Sequence, residues 1–268
     1  MKKFLAIIAL IVVFSSCNEY QKALKSEDVS VKFEQATKLY DAGKYSKAIR
    51  LFEQIAPSYK GKPQAEKMFY MYSQALYKTN QFYLAGYQFE SFVSSYPKSE
   101  KIEESSFLGA KCFANLSPVY SLDQTDTYKA IDKLQSFIDI FPESLYLPDA
   151  NAIVKSLREK LEKKAFENAK QYNTVGEYNR DYNAAIIAMD NFILEFPGTP
   201  YKEAALFYKY DSLYQLAINS IQNKMEERLN TAKGAYATLV KFNAKTEYKA
   251  KADVMLARIE NDLKQFSK

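Results

Sequence analysis

The sequence predicts an all-α protein, a superhelical array of about five helical hairpins. Three observations predict it. Turn formers are scarce, with 7 Gly and 8 Pro in 268 residues, too few for a β protein of short strands and tight turns. Apolar residues recur at steps of 4, 3 and 4, the spacing of one helix face. One stretch is also written three times, as "SFVSSYPKSEKIEES" (91–105), "SFIDIFPESLYLPDA" (136–150) and "NFILEFPGTPYKEAA" (191–205).

At the N-terminus, Lys2 and Lys3 precede an unbroken apolar run of 11 residues, Phe4 to Phe14. A bilayer-spanning helix needs about 20 apolar residues, so residues 1–16 read as an export signal rather than a span. Ser15, Ser16 and Cys17 follow, and "VFSSC" resembles a bacterial lipobox, whose Cys is acylated and becomes the first mature residue. The resemblance implies lipidation of Cys17, with enough acyl chains for stable anchoring. Asn18 stands where an Asp would resemble an inner-membrane retention signal, so the outer membrane is the expected destination. Residues 17–29 then form a lipidated N-terminus and polar tether. Without residues 1–16 the formal charge falls from +5 to +3, because two Lys are lost. The basic residues are dispersed, so no nucleic-acid footprint is expected.

The repeats begin at residue 30. Aligned on Pro97, Pro142 and Pro197, the copies place Ala85, Ala130 and Ala185 twelve positions earlier. Phe89, Leu134 and Met189 lie eight positions earlier, and Phe92, Phe137 and Phe192 five. Tyr96, Phe141 and Phe196 come immediately before the prolines. An upstream copy reads Ala48, Phe52, Ile55 and Tyr59, with Gly61 and Pro63 as the stop. A residue before Pro is pushed out of helical geometry. Ser99, Ser144 and Thr199 then supply N-caps for the next helix. Each stretch is thus a joint between hairpins that bury their apolar faces on their neighbours. The alanines are 37, 45 and 55 residues apart, so the later copies carry insertions. The second interval places its extra residues in "SPVYSLDQTD" (117–126), and the third in long helices over 145–180 plus "GEYNRDYN" (176–183). The expected division is N-terminal repeats over 30–143 and C-terminal repeats with a final helix over 144–268.

The first copy, "FEQATKLYDAGKYSKAIRLFEQI" (33–55), resembles a tetratricopeptide repeat. Ala36, Gly43, Tyr45, Ala48 and Phe52 fall on its small, turn, aromatic, small and aromatic positions, and Asn80 replaces the turn Gly in the second copy. A lipobox followed by about five such repeats with "[YF]P-x-[ST]" joints resembles the BamD family, the lipoproteins of the outer-membrane β-barrel assembly machine. The last repeat, 223–253, fits that pattern except at "KFNAKTEY", where Asn243 is read in the place of Pro. The resemblance implies a lipid-anchored protein on the periplasmic face of the outer membrane. It implies a BamA-type barrel protein, further subunits and unfolded outer-membrane proteins as partners.

Chemistry-bearing patterns are few. There is no His or Trp, so the commonest general base and metal ligand is missing. No phosphate loop, metal-ligand spacing or nucleophile elbow occurs, and no cofactor, metal or catalytic residue is expected. Glu103–Glu104 and Glu226–Glu227 are adjacent pairs that cannot converge on a helix; they read as solvated surface, as does "REKLEKK" (158–164). Cys112 reads as a buried small hydrophobe. In tetratricopeptide arrays the first helix of each pair lines a concave groove, so the resemblance implies that Phe33, Thr37 and Tyr40, then Tyr70, Gln74 and Tyr77, face a peptide-binding groove. Tyrosine offers flat apolar area with a polar tip, which suits such a surface. The expected function is therefore a non-catalytic scaffold. The alternatives are another periplasmic tetratricopeptide lipoprotein, coordinating the cell envelope or division, and a SusD-like glycan-capture lipoprotein. The absence of Trp for stacking sugars weighs against the last.

Overall fold

A computed structural model describes residues 19–266. The leader at 1–16 and Cys17 lie outside the described residues. A helical stretch at 19–25 opens the chain. It is followed by α1 (Val29–Asp41), α2 (Tyr45–Tyr59), α3 (Ala65–Lys78), α4 (Phe82–Ser95), α5 (Ile102–Leu116) and α6 (Thr125–Ile140). Then come α7 (Leu147–Asn179), α8 (Asn183–Glu195), α9 (Lys202–Ile218), α10 (Gln222–Phe242), α11 (Lys249–Leu263) and a 3-10 turn at Lys264–Phe266. No strand occurs among the described residues. Helices α1 to α6 pack consecutively on one another, and so do α8 to α11, in the all-α hairpin architecture the joints predict.

The apolar ladder is the core. Ala48, Ala85, Ala130 and Ala185 are completely buried, as are Phe52, Phe89, Leu134 and Met189. Ile55, Phe92, Phe137 and Phe192 are no more than 4% exposed. A small residue at the first position lets neighbouring helices approach, and the larger ones fill the space between them. The turns inside the first two hairpins each use a left-handed residue: Gly43 adopts φ 69° and Asn80 φ 59°. Asn tolerates that region better than most side chains, which is why it can replace the turn Gly. The third and longest interval contains a single helix of 33 residues, α7, which takes in the first half of the 176–183 insert. It ends at left-handed Arg180, and Gly176 leaves room for the Tyr182 ring, whose nearest atom would lie 2.7 Å from any added Cβ.

The joints are more elaborate than a Pro stop and an N-cap. The hydroxyl residues do not cap their helices directly, since the helices begin three residues later. Instead each oxygen accepts the amide N–H two residues on, from Lys101, Tyr146, Tyr201 and Tyr248, at 3.0–3.3 Å. The Ser99 hydroxyl donates to Glu66 at 2.5 Å and the Ser144 hydroxyl to Glu103 at 2.6 Å. Thr246 does the same to Glu203. The carboxylates belong to the first turns of α3, α5 and α9, so the clasp ties one hairpin to the next. Four residues beyond it an aromatic ring receives a partner from the joint. Tyr146 stacks on Phe107 at 4.8 Å, Tyr201 on Phe166 at 4.9 Å and Tyr248 on Phe207 at 4.2 Å. At the first joint Lys101 takes the Tyr place and sits over the Tyr70 ring at 5.4 Å.

This register corrects two expectations. Asn243 occupies the aromatic helix-end position of Tyr96, Phe141 and Phe196, as the Thr246 N–H bond to its carbonyl shows. Ala244 therefore stands in the Pro place, and Ala232, Tyr236 and Leu239 continue the fifth ladder. The Asn243 amide donates to Glu203 at 2.9 Å, which ties the joint together without a Pro. Glu103 is not solvated surface either: it is half-buried and accepts from Ser144. Adjacent glutamates do diverge on a helix, but here both find partners. Glu226 and Glu227 are exposed.

The chain divides into two compact units, one ending at Leu157 and the other beginning at Arg158. The division falls inside α7. Ala150, Val154 and Leu157 complete a core with α5 and α6 in the first unit. Phe166 and Ala169 join Met189, Phe192 and Ala205 in the second. Residues 158–164 become half-buried from Lys160 onward, rather than forming a fully solvated face. The N-terminal tether is also shorter than its polarity suggests. Residues 19–25 are helical, and Tyr20 and Ala23 are buried in the first core.

The clasp predicts a pH dependence. Hydrogen bonds from Thr246 and then Asn243 hold the Glu203 carboxyl below its usual range. A carboxylate depressed in the folded state stabilises above its unfolded value, near pH 4.3, and that contribution is lost as pH falls through the folded value. Glu203→Gln should therefore melt below the parent protein at about pH 6, and the gap should close by about pH 3. A gap of constant size in thermal melts would show that the charge is not what the joint uses.

Candidate functional site

Three of the six groove residues come together, on the face made by α1, α3 and α5. The Gln74 side-chain amide donates to the Tyr70 hydroxyl at 3.0 Å and to Glu104 Oε1 at 3.1 Å. Lys101 Nζ lies 3.6 Å from Glu104 Oε2 and above the Tyr70 ring. Burial first, then its hydrogen bond to Glu104, pushes the Tyr70 phenol well above the usual tyrosine range. Tyr40 is raised in the same direction, mainly by burial and then by Tyr45, Asp41 and Glu104. Both phenols thus stay neutral donors at any physiological pH. Gln74 is only 6% exposed and holds the cluster from below.

The other three residues have different jobs. Phe33 is buried against Tyr59, with ring centroids 5.1 Å apart, and belongs to the core. The Thr37 hydroxyl is spent on its own helix, donating to the Phe33 carbonyl at 2.9 Å. Tyr77 packs edge-on against Phe82 and Phe89 where α3 meets α4. A period of 3.6 places all three near the expected face, but neighbouring rings cover Phe33 and Tyr77 and Thr37 is bonded to its own backbone.

Glu104 and Lys101 are the members that sequence reasoning missed. A usable signal existed: Glu104 follows the clasp residue Glu103, and Lys101 replaces the Tyr that the later joints carry. Beside the cluster, a cleft of about 540 Å³ is lined by Pro63, Glu66, Lys67, Tyr70, Lys98 and Lys101, among others. Pro63 and Tyr70 supply its apolar lining, and charges of both signs line the rest. Such a surface suits an extended peptide with an aromatic or apolar side chain. Among the described residues, no group of three or more His, Cys, Asp or Glu side chains could hold a metal. Cys112 is fully buried, and burial pushes its thiol up to about 12, far from the reactive range.

Known proteins bear on this chain in three ways. The YfiO outer membrane lipoprotein family matches residues 25–180. The outer membrane protein assembly factor BamD of Haemophilus influenzae is 20% identical over 241 residues, covering 86% of this chain and 90% of that protein. Two crystal structures of TPR-like repeats from a Podosopora anserina kinesin light chain align with a TM-score of 0.36. They share 13% and 14% identity and cover 82% and 80% of this chain, in each case against 98% of the other. Matched over more than half its length, the chain belongs to the YfiO family of outer membrane lipoproteins.

Proposed function

We propose that this chain is a non-catalytic scaffold of the outer-membrane β-barrel assembly machine. It is held on the periplasmic face of the outer membrane by acylation of Cys17. The C-terminal repeats dock the periplasmic domains of a BamA-type protein, and the Tyr40–Tyr70 face receives the targeting strand of unfolded outer-membrane proteins. The observation that carries this reading is the similarity to the Haemophilus assembly factor along 86% of the chain. Two features of the molecule support it. The tyrosine cluster offers aromatic area and neutral donors without an acid–base pair. In the second unit, α8 exposes Ala184, Ile187, Asn191 and Leu194 at helical spacing, with Ile187 60% and Leu194 78% exposed. That stripe suits contact with another folded protein.

The test separates the two surfaces. Truncating a fully used aromatic anchor costs about 2 kcal/mol or more, roughly a factor of 30 in affinity. Tyr40→Ala combined with Tyr70→Ala should weaken binding of a labelled peptide copied from the last strand of an outer-membrane protein by at least that factor. Capture of the BamA-type periplasmic domains should be unchanged. Unchanged peptide affinity in a well-folded double variant, read by fluorescence anisotropy, would remove the groove assignment. Failure to capture the BamA-type domains with the unaltered chain would remove the scaffold reading.

A further inference from the structure

The first unit has two edges, because its helices alternate in direction. Bonds from α3 to α5 (Gln74–Glu104) and from α4 to α6 (Tyr87–Lys129, Glu90–Lys133) join helices that run parallel. The turns at 42–44 and 79–81 and the loop at 117–124 therefore share one edge, and the joints at 60–64, 96–101 and 141–146 share the other. The chain enters at the first of these edges. Tyr20 lies under Lys47 at the start of α2, with Lys47 Nζ 5.2 Å from its ring centre, and Glu19 is near enough to Lys38 to interact electrostatically.

That same edge carries exposed apolar side chains. Tyr83 is 60% exposed, Val119 63%, Leu122 58% and Tyr128 58%, with Leu84 beside them. The loop that presents Val119 and Leu122 is built for it. Gln124 is buried, and its amide donates to the carbonyls of both residues at 2.9 Å. Thr127 bonds the other end of the Gln124 amide at 2.7 Å. The backbone is thus held from inside while the two apolar side chains point outward. The segments that form it, 41–47, 78–84 and 117–129, hold four Lys and three Asp, so both signs of charge are interspersed there. What it offers is tyrosine and aliphatic surface, the composition of a membrane–water interface.

We propose that this edge rests on the membrane that holds the lipid anchor, seating Tyr83, Leu84, Val119, Leu122 and Tyr128 among the lipid headgroups. The inference rests on the acylation of Cys17 proposed above, and chain length then carries it. Glu19 is two positions on from Cys17, and two residue steps span at most about 7 Å. A backbone fixed at the headgroups by its acyl chains therefore brings this edge down with it. The polar tether cannot hold it away, because residues 19–25 are already folded onto the core.

The test uses the full acylated chain in vesicles of phosphatidylethanolamine and phosphatidylglycerol containing brominated lipid. A fluorophore is placed on Val119→Cys, or on Lys98→Cys at the opposite edge; buried Cys112 does not compete. Most of the fluorescence at 119 should be quenched, and none at 98. Tyr83→Asp with Leu122→Asp should abolish the quenching at 119, while the protein still floats with vesicles in high salt and keeps its thermal midpoint. Flotation with no quenching at 119, or with equal quenching at 98, overturns the resting edge and leaves the anchor in place. Loss of flotation in the unaltered chain overturns the anchor and this proposal with it.

Discussion

Phe137→Ala should lower the thermal midpoint by about 10 °C or more. The side chain is 2% exposed and packs against Phe107 and Phe141, with ring centroids 5.5 and 5.4 Å away. Deleting a buried Phe costs about 3–5 kcal/mol, in transfer energy and in the cavity left behind. A domain is stable by only about 5–15 kcal/mol in all. The exposed Lys98→Ala should leave the midpoint unmoved. Glu103→Ala should fall between the two, because it strands the Ser144 hydroxyl in a half-buried joint. Calorimetry on the three variants orders them. Equal effects from Phe137→Ala and Lys98→Ala would mean that the ladder is not the core.

Cys17→Ala should move the protein from the membrane fraction to the soluble periplasm almost completely. Among the described residues no helix is long and apolar enough to cross a membrane, and the scaffold proposed above is held by acylation of Cys17. Each buried methylene of an acyl chain contributes about 0.8 kcal/mol. The few interfacial side chains of the 117–124 edge cannot replace that. Fractionation in high salt with detection by antibody decides it. A variant that still sediments quantitatively with membranes would place the main attachment elsewhere.

The sequence by itself determined the hairpins. A ladder of Ala and large apolar residues at steps of 4, 3 and 4, ended by an aromatic and a Pro, depends only on helix period and on the φ restriction before Pro. Both are local properties, so every ladder residue from Ala48 to Phe192 lies where the spacing puts it. The left-handed turns at Gly43 and Asn80 were legible for the same reason. What only the tertiary structure decided is which polar groups meet across hairpins. Ser99 and Glu66 are 33 residues apart, Ser144 and Glu103 are 41 apart, and Gln74 and Glu104 are 30 apart. No local period relates such pairs; their meeting depends on how far each insertion displaces the next helix. The site divided along the same line. Tyr40, Tyr70 and Gln74 share a face because helix period says so. Phe33 and Tyr77 went to packing, and Glu104 and Lys101 joined the cluster, because neighbouring helices cover one part of that face and leave another open.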